Sequence, residues 1–319
     1  MNLYSEHDLE AIKILDDFLP DKIFDAHMHI SLFPFSVYER FGFSDYKRDM
    51  SPLFSNRPIR CAGLATPTEE LKQAEGHLRT LDFFKNQLDA HPDCVGSVLV
   101  KPGESYDEIK SHIVHPNVKG LKCYATYAKR EDYLDADIHE YLTEEALEVA
   151  NELGLAVTLH MMKDAALSSP DNMREIKSIS KRYPNIKLVL AHAARAFASW
   201  TAIESVAELV PYENIFFDFS AICESPAMIR ILNKFGASRC MWGSDYNVTI
   251  RLGKSVSIGD GFVWLEKNEM AYIQQKSPIR PRLLVTENLM ATREAAIICE
   301  LSKNEIESLF FNTAREIFK

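Results

Sequence analysis

Four of the ten histidines fall at the ends of short apolar runs: His27 and His29 in KIFDAHMH, His160 in LAVTLHM and His192 in KLVLAHAA. Residues i and i+2 of a strand share a face, so His27 and His29 stand side by side, with Asp25 expected on the same face one step deeper. Two neutral imidazoles at that spacing can chelate a divalent metal. Asp245, in Gly243-Ser244-Asp245-Tyr246, closes another apolar run. Together these groups are an N/O ligand set suited to zinc, with manganese or iron as alternatives. The set works only if one fold brings its separate runs together.

Eight strand-like runs can be counted: 22–29, 60–66, 94–102, 118–124, 155–161, 187–194, 215–221 and 240–246. Between them lie amphipathic segments such as TEEALEVANELG, DNMREIKSISKRYP and SPAMIRILNKFG, several opened by Ser, Thr or Asp and closed by Gly or Pro. This alternation predicts an α/β fold, a (β/α)8 TIM barrel. In a closed barrel, strands one, five, six and eight deliver their last inward residues to the same mouth, where His27, His29, His160, His192 and Asp245 would converge. The reading is one domain over residues 1–319. It has an N-terminal helix at 5–18, a barrel at about 22–250, and C-terminal helices at 286–300 and 303–318. Two connections, 30–59 after strand one and 247–285 after strand eight, are long enough to act as lids over that mouth.

Lys plus Arg is 36 and Asp plus Glu is 46, a net charge of −10, and no basic run of the kind that neutralises phosphates occurs. Nucleic acid is not an expected partner. No stretch approaches the roughly 18 uninterrupted apolar residues of a membrane span. The N-terminus is acidic where a secretory signal needs a basic start. Six cysteines lie scattered in apolar stretches without a C-x-x-C pair, as expected of reduced, packed thiols. The expected location is the cytoplasm.

D-A-H-M-H, V-T-L-H, L-A-H-A-A-R and W-G-S-D-Y, in this order, resemble the amidohydrolase superfamily, specifically its amidohydrolase-related (amidohydrolase 2) branch of metal-dependent TIM-barrel hydrolases and decarboxylases. The resemblance runs over about residues 22–318. It implies that His27, His29 and His160 bind one divalent metal, usually zinc, with Asp245 as a further ligand. It implies that His192 sits over the metal-bound water or substrate; in binuclear relatives it would instead serve a second metal. Dimers are common in this branch, so a homodimer is expected.

A bound zinc ion lowers the pKa of its water to about 7 and polarises a carbonyl. Asp245 can take the water proton and return it to the leaving group, while His192 stabilises the oxyanion. The expected activity is hydrolysis of an amide, ester or lactone bond in a small, carboxylate-bearing substrate. The alternative in the same branch is non-oxidative decarboxylation, and a second alternative is a non-catalytic ligand-binding barrel.

Three further residues are expected to bind substrate: Lys122 and Tyr124 on the fourth run and Arg195 after the sixth. Some superfamily members carry a carboxylated lysine bridging two metals on the fourth strand; the plainer reading of Lys122 is a cation that holds substrate or pairs with a carboxylate. Lys101 has the same ambiguity. Arg195 could hold a substrate carboxylate by a bidentate pair, or be a surface or ion-paired residue. Ala193-Ala194 stands before it where many relatives have a glycine-rich turn. Tyr127, Arg130, Trp242 and Tyr246 also follow strands and are candidates for the pocket wall. His7, His77, His91, His112, His115 and His139 are expected in solvated segments. Ser220 and Ser244 lack the G-x-S-x-G elbow, and no G-x-G-x-x-G follows a strand.

Overall fold

The computed structural model describes residues 3–36 and 38–319; Met1, Asn2 and Val37, the last within the expected lid 30–59, lie outside the described residues. Eight parallel strands follow one another around the sheet in sequence order: β1 (Ile23–Ile30), β2 (Ile59–Ala65), β3 (Val95–Leu99), β4 (Val118–Cys123), β5 (Ala156–Leu159), β6 (Lys187–Leu190), β7 (Ile215–Asp218) and β8 (Cys240–Met241). The ring closes where Ala26 N–H donates to Trp242 O at 3.0 Å and Met28 bridges Tyr246. Helices fill the intervals, so the fold is the expected (β/α)8 barrel. Several strands are shorter than the apolar runs that announced them, because the last residues of each run leave the ladder to line the mouth.

The barrel interior has an apolar floor. Phe24, Ala26, Ala62, Val95, Ala156, Val189 and Met241 meet there from six strands, closed from below by Phe311, Ala314, Ile317 and Phe318 of the C-terminal segment. That segment is helical but widens into a π-type turn at Ser308–Asn312. Its adjacent phenylalanines serve different clusters. Phe310 stacks on Trp242, with ring centroids 5.8 Å apart, while Phe311 packs on Phe24 in the floor.

A bulge in β1 decides what stands above that floor. Asp25 pairs with Cys61 and Met28 with Gly63, so two residues of β1 oppose the single Ala62 of β2. Phe24 and Ala26 point inward below the bulge; His27 and His29 point inward above it. Asp25 therefore does not share the face of the two histidines, contrary to the period-two expectation. It faces outward, where its Oδ1 accepts the His27 and Ser244 N–H groups at 3.0 and 2.9 Å, and its Oδ2 accepts Tyr46 O–H at 2.7 Å. Burial pushes its carboxyl up to about 7 despite those three donors.

Both long connections carry structure. The first holds α2 (Phe43–Met50), which supplies Tyr46; the second holds an antiparallel hairpin, β9 (Lys254–Ile258) and β10 (Gly261–Leu265), and a helix over Lys267–Gln274. Trp200 Nε1–H donates to Asp260 O at 2.8 Å and pins the hairpin tip beside the mouth. At the other end of the chain, α1 (Glu6–Asp16) starts with a capping box, Ser5 Oγ accepting Asp8 N–H and the Asp8 carboxylate accepting Ser5 N–H. Asp8 also accepts Leu283 N–H at 2.9 Å, tying the N-terminal helix to the segment that leads into Leu284–Ile298.

No helix among the described residues is long and apolar enough to cross a membrane. All six cysteines are free, five of them buried. Because the floor rests on aromatic contacts from the two ends of the barrel chain, Phe24→Ala is expected to destabilise the fold by about 3–5 kcal/mol, read as a lowered urea midpoint.

Candidate active site

The bulge sets His27 and His29 into the mouth, and Asp245 meets them from the end of β8. His29 Nε2 lies 3.0 Å and His27 Nε2 3.5 Å from Asp245 Oδ1. Asp245 is held there by its backbone, its N–H donating to His27 O at 2.7 Å. Gly243 makes this approach possible. A Cβ at that position would sit 2.7 Å from the His27 Cβ and 3.2 Å from the Ser220 Cβ.

His192, two residues past β6, comes over the same point. Its ring lies 5.0 Å from that of His27, and His27, His192 and Asp245 each offer one ligand atom within 4.8 Å of the others. His160, the residue after β5, packs on His192 with centroids 4.7 Å apart and lines the cavity. Thus all five expected groups reach the mouth, but the tight three-atom group contains His192 and not His160.

Asp218, at the end of β7, was not among the residues expected at the site. It is fully buried, and its Oδ2 accepts His27 Nδ1–H at 3.1 Å while its Oδ1 accepts the backbone N–H of His192 at 3.2 Å and of Ser220 at 3.1 Å. Burial alone would raise its pKa, but the charge and hydrogen bond of His27 hold it well below the usual carboxylate range. An ionised Asp218 can only accept, so the proton of His27 sits on Nδ1 and the lone pair is on Nε2. That buried Nε2 has no hydrogen-bond partner among the described residues. His192 is fixed in the same sense. Its Nδ1–H donates to Ser220 O at 3.1 Å, leaving Nε2 for the cavity.

Burial lowers the pKa values of His27 and His192, and that of His160 further, with the neighbouring charges of His192, Lys122 and Arg195 acting in the same direction on His160. All three are neutral at pH 7, the form that ligates metal. Burial would raise Asp245, but the hydrogen bond from His29 and the charges of His192 and His27 lower it, so it is a carboxylate. Buried lone pairs aimed beside a buried carboxylate call for a cation. The donor set fits a divalent ion held by His27, His29 and Asp245 with His192 or His160.

Above the group opens a cavity of about 340 Å³. Lys122, wholly buried on β4, lines it. Its Nζ has no hydrogen-bond partner among the described residues, lies 4.7 Å from the centroid of the Tyr124 ring, and has its pKa lowered by burial. Tyr124 lines it too, its O–H donating to Ala65 O at 2.8 Å and its oxygen lying 3.3 Å from His29 Nδ1. Arg195 reaches the cavity, anchored by Nη1–H to Lys163 O at 3.2 Å. The far wall is aromatic: Phe197 stacks on Phe262 of the hairpin at 4.8 Å, and Trp264 meets it edge-on.

Other candidates lie elsewhere. Trp242 is core, its Nε1–H donating to Asn288 Oδ1; Tyr246 O–H donates to Asp49; Arg130 pairs with Glu140; Lys101 Nζ donates to Leu71 O. Tyr127 O–H donates to Thr68 O outside the cavity. His77 and His112, expected to be solvated, are instead buried against each other and share Glu104, because the first turn of α3 (Ala74–Ala90) and the last residue of α4 (Tyr106–His112) meet at the turn that carries it.

The sequence model of the Amidohydrolase family matches residues 24–319. L-fucono-1,5-lactonase from Burkholderia ambifaria is 25% identical over 249 residues, covering 73% of this chain and 79% of that one. Among solved structures, 5-carboxyvanillate decarboxylase from Sphingomonas paucimobilis superposes with a TM-score of 0.57 at 13% identity, over 94% of this chain and 99% of its own. The 5-carboxyvanillate decarboxylase of Novosphingobium aromaticivorans, complexed with manganese and 4-hydroxy-3-methoxy-5-nitrobenzoic acid, gives 0.53 at 13% identity, over 85% and 79%. These two structures share the fold.

Because the His27 ring is fixed by Asp218 and cannot retreat from an added methyl, Gly243→Ala is expected to destabilise the protein by about 1–3 kcal/mol and to displace the histidine pair. Urea denaturation with a diffraction structure of the variant would check it.

Proposed function

The chain belongs to the amidohydrolase family, and we propose that it is a hydrolase that opens a lactone bond in a small, carboxylate-bearing substrate, using one zinc ion. The observation that carries this reading is the buried, unpartnered lone pair of His27 Nε2 beside the Asp245 carboxylate. Imidazole nitrogens with one carboxylate are a donor set zinc takes readily. The curated lactonase relative supports the lactone over the amide or ester. A divalent ion held there supplies Lewis acidity, acidifying water and polarising a carbonyl oxygen.

The residues of the chain do the rest. Asp245, ionised and in the mouth, accepts a proton from the attacking water and delivers it to the leaving oxygen. His192, with Nδ1 locked on Ser220, directs Nε2 at the oxygen where negative charge develops. Arg195 and Lys122 face the cavity and hold the substrate carboxylate; a guanidinium does so in two parallel hydrogen bonds. Tyr124 orients His29. Phe197, Phe262 and Trp264 exclude water from one side and present flat apolar surface to a ring. The free, buried thiols support a reducing compartment, the cytoplasm.

The aromatic wall also suits a planar substrate, which keeps decarboxylation of an aryl carboxylate as the second reading. A panel of sugar and aryl lactones, with dihydroxybenzoates beside them, turned over in ¹⁸O-water separates the two. Lactone hydrolysis places one ¹⁸O in the product carboxylate; CO₂ release without water incorporation overturns the hydrolytic reading.

His27→Ala is expected to abolish both metal retention and turnover, read by elemental analysis of protein purified without chelator and by assay of the responsive substrate; full activity in that variant would sink the metal mechanism. Asp218→Asn removes the charge that fixes the His27 tautomer. It is expected to weaken metal affinity about 10–100-fold while the protein stays folded, measured by competition with a chromophoric chelator.

A further inference from the structure

A second constellation of metal-ligating side chains lies outside the cavity, on the flank of the barrel. His77 stands in the first turn of α3, Glu104 in the turn between β3 and α4, and His112 is the last residue of α4. His77 Nε2 and His112 Nε2 each lie 3.0 Å from the same oxygen, Glu104 Oε1, and the three donor atoms are mutually within 4.8 Å. The two rings meet nearly at right angles, with centroids 5.5 Å apart. Both histidines are buried, at 5% and 8% exposure, and the Glu104 side chain is 14% exposed. None of the three touches the active-site cavity.

From this geometry we propose that His77, Glu104 and His112 form a second, structural site for a divalent transition-metal ion of the zinc class, one that the catalytic centre does not use. Two imidazole nitrogens and a carboxylate oxygen are a donor set shared by zinc, cobalt and nickel. An ion about 2.1 Å from two atoms that are 3.0 Å apart sees them at roughly 90°, which leaves positions for water on the open side. The carboxylate is already oriented. Its other oxygen, Oε2, accepts the backbone N–H of Lys101, the kind of outer contact that holds a ligand in place. Lys101 in turn is anchored by its Nζ on Leu71 O, so the turn carrying Glu104 is held before any ion arrives.

Here both rings converge on one oxygen while the backbone takes the other, which gathers three donor atoms around a common point. An ion at that point would staple α3 and α4 to the turn after β3. Binding involves no covalent or redox step. It exchanges ion-bound water for the two Nε2 lone pairs and Oε1.

The test compares the wild-type chain with H77Q/H112Q, which keeps side-chain amide donors facing Glu104. Both proteins are dialysed against zinc and then against buffer, and metal is counted per chain. The expected result is one equivalent less in the variant, with unchanged turnover and a smaller zinc-dependent rise in melting temperature than the wild type shows. Any ion of the active site is counted in both proteins, so this difference stands or falls apart from the proposed catalytic centre. Anomalous scattering at the zinc edge from wild-type crystals decides the matter should the variant not fold. A peak among Nε2 of His77, Nε2 of His112 and Oε1 of Glu104 supports the site. Equal metal content in both proteins, or no such peak, overturns it and leaves a hydrogen-bonded triad.

Discussion

A regular strand that sends Phe24 and Ala26 into the apolar floor would send His27 and His29 outward, away from the mouth. The extra residue in β1 resolves this conflict, and the polar half of the barrel depends on it. A bulge is stable only if its unpaired backbone groups find partners. Here Asp25 accepts His27 N–H, Trp242 O accepts Ala26 N–H, and the same Asp25 oxygen reaches across to Ser244 N–H. One outward-facing carboxylate thus fixes the inward direction of the histidines and the approach of the segment that carries Asp245.

The second constraint is electrostatic. Lys122, Asp218 and Asp245 are ionisable groups buried in one small volume with the imidazoles of His27, His29, His160 and His192, and burying charge is costly unless it is compensated. Asp218 is compensated by His27 and by two backbone donors, so it is a fixed negative charge behind the site. Lys122 has no hydrogen-bonding partner among the described residues; it sits over the Tyr124 ring and feels Asp218 and Asp245 at longer range. In the proposed function such a group pairs with the substrate carboxylate.

Much of this was readable in the sequence, because strand ends in a barrel converge by topology alone. The eight runs, the helix spacing and the polar residues closing runs one, five, six and eight specify which side chains reach the mouth. What they do not specify is parity. Nothing in KIFDAHMH distinguishes a bulged strand from a regular one, and so Asp25 reads as a partner of the histidines when it in fact faces away. Asp218 is hidden for a different reason: it lies inside IFFDFS as one more strand residue, and its partner His27 is 191 positions away. His77 and His112 sit in segments of polar composition. The meeting of the start of α3 with the end of α4 at Glu104 buries them, and local sequence carries no trace of that contact.

The turn after β6 shows how far the chain departs from its own local preferences to build the site. His192, Ala193, Ala194 and Arg195 all adopt left-handed backbone, with φ of 56°, 51°, 62° and 58°. Each such residue costs about 1–2 kcal/mol without glycine's freedom, and relatives with glycine there would avoid the strain. The alternative at this position is a methyl group, and Ala193 and Ala194 are both completely buried in the core. Their packing offsets part of the strain, and four left-handed residues in a row turn the chain tightly enough that the first presents His192 to the site while the last presents Arg195 to the cavity. A glycine-rich turn would reach the same shape with more freedom in it. Here the distance between His192 and Arg195 is set by a packed, left-handed loop, and in the proposed function the positioning of a catalytic group relative to a substrate-binding cation rests on that loop.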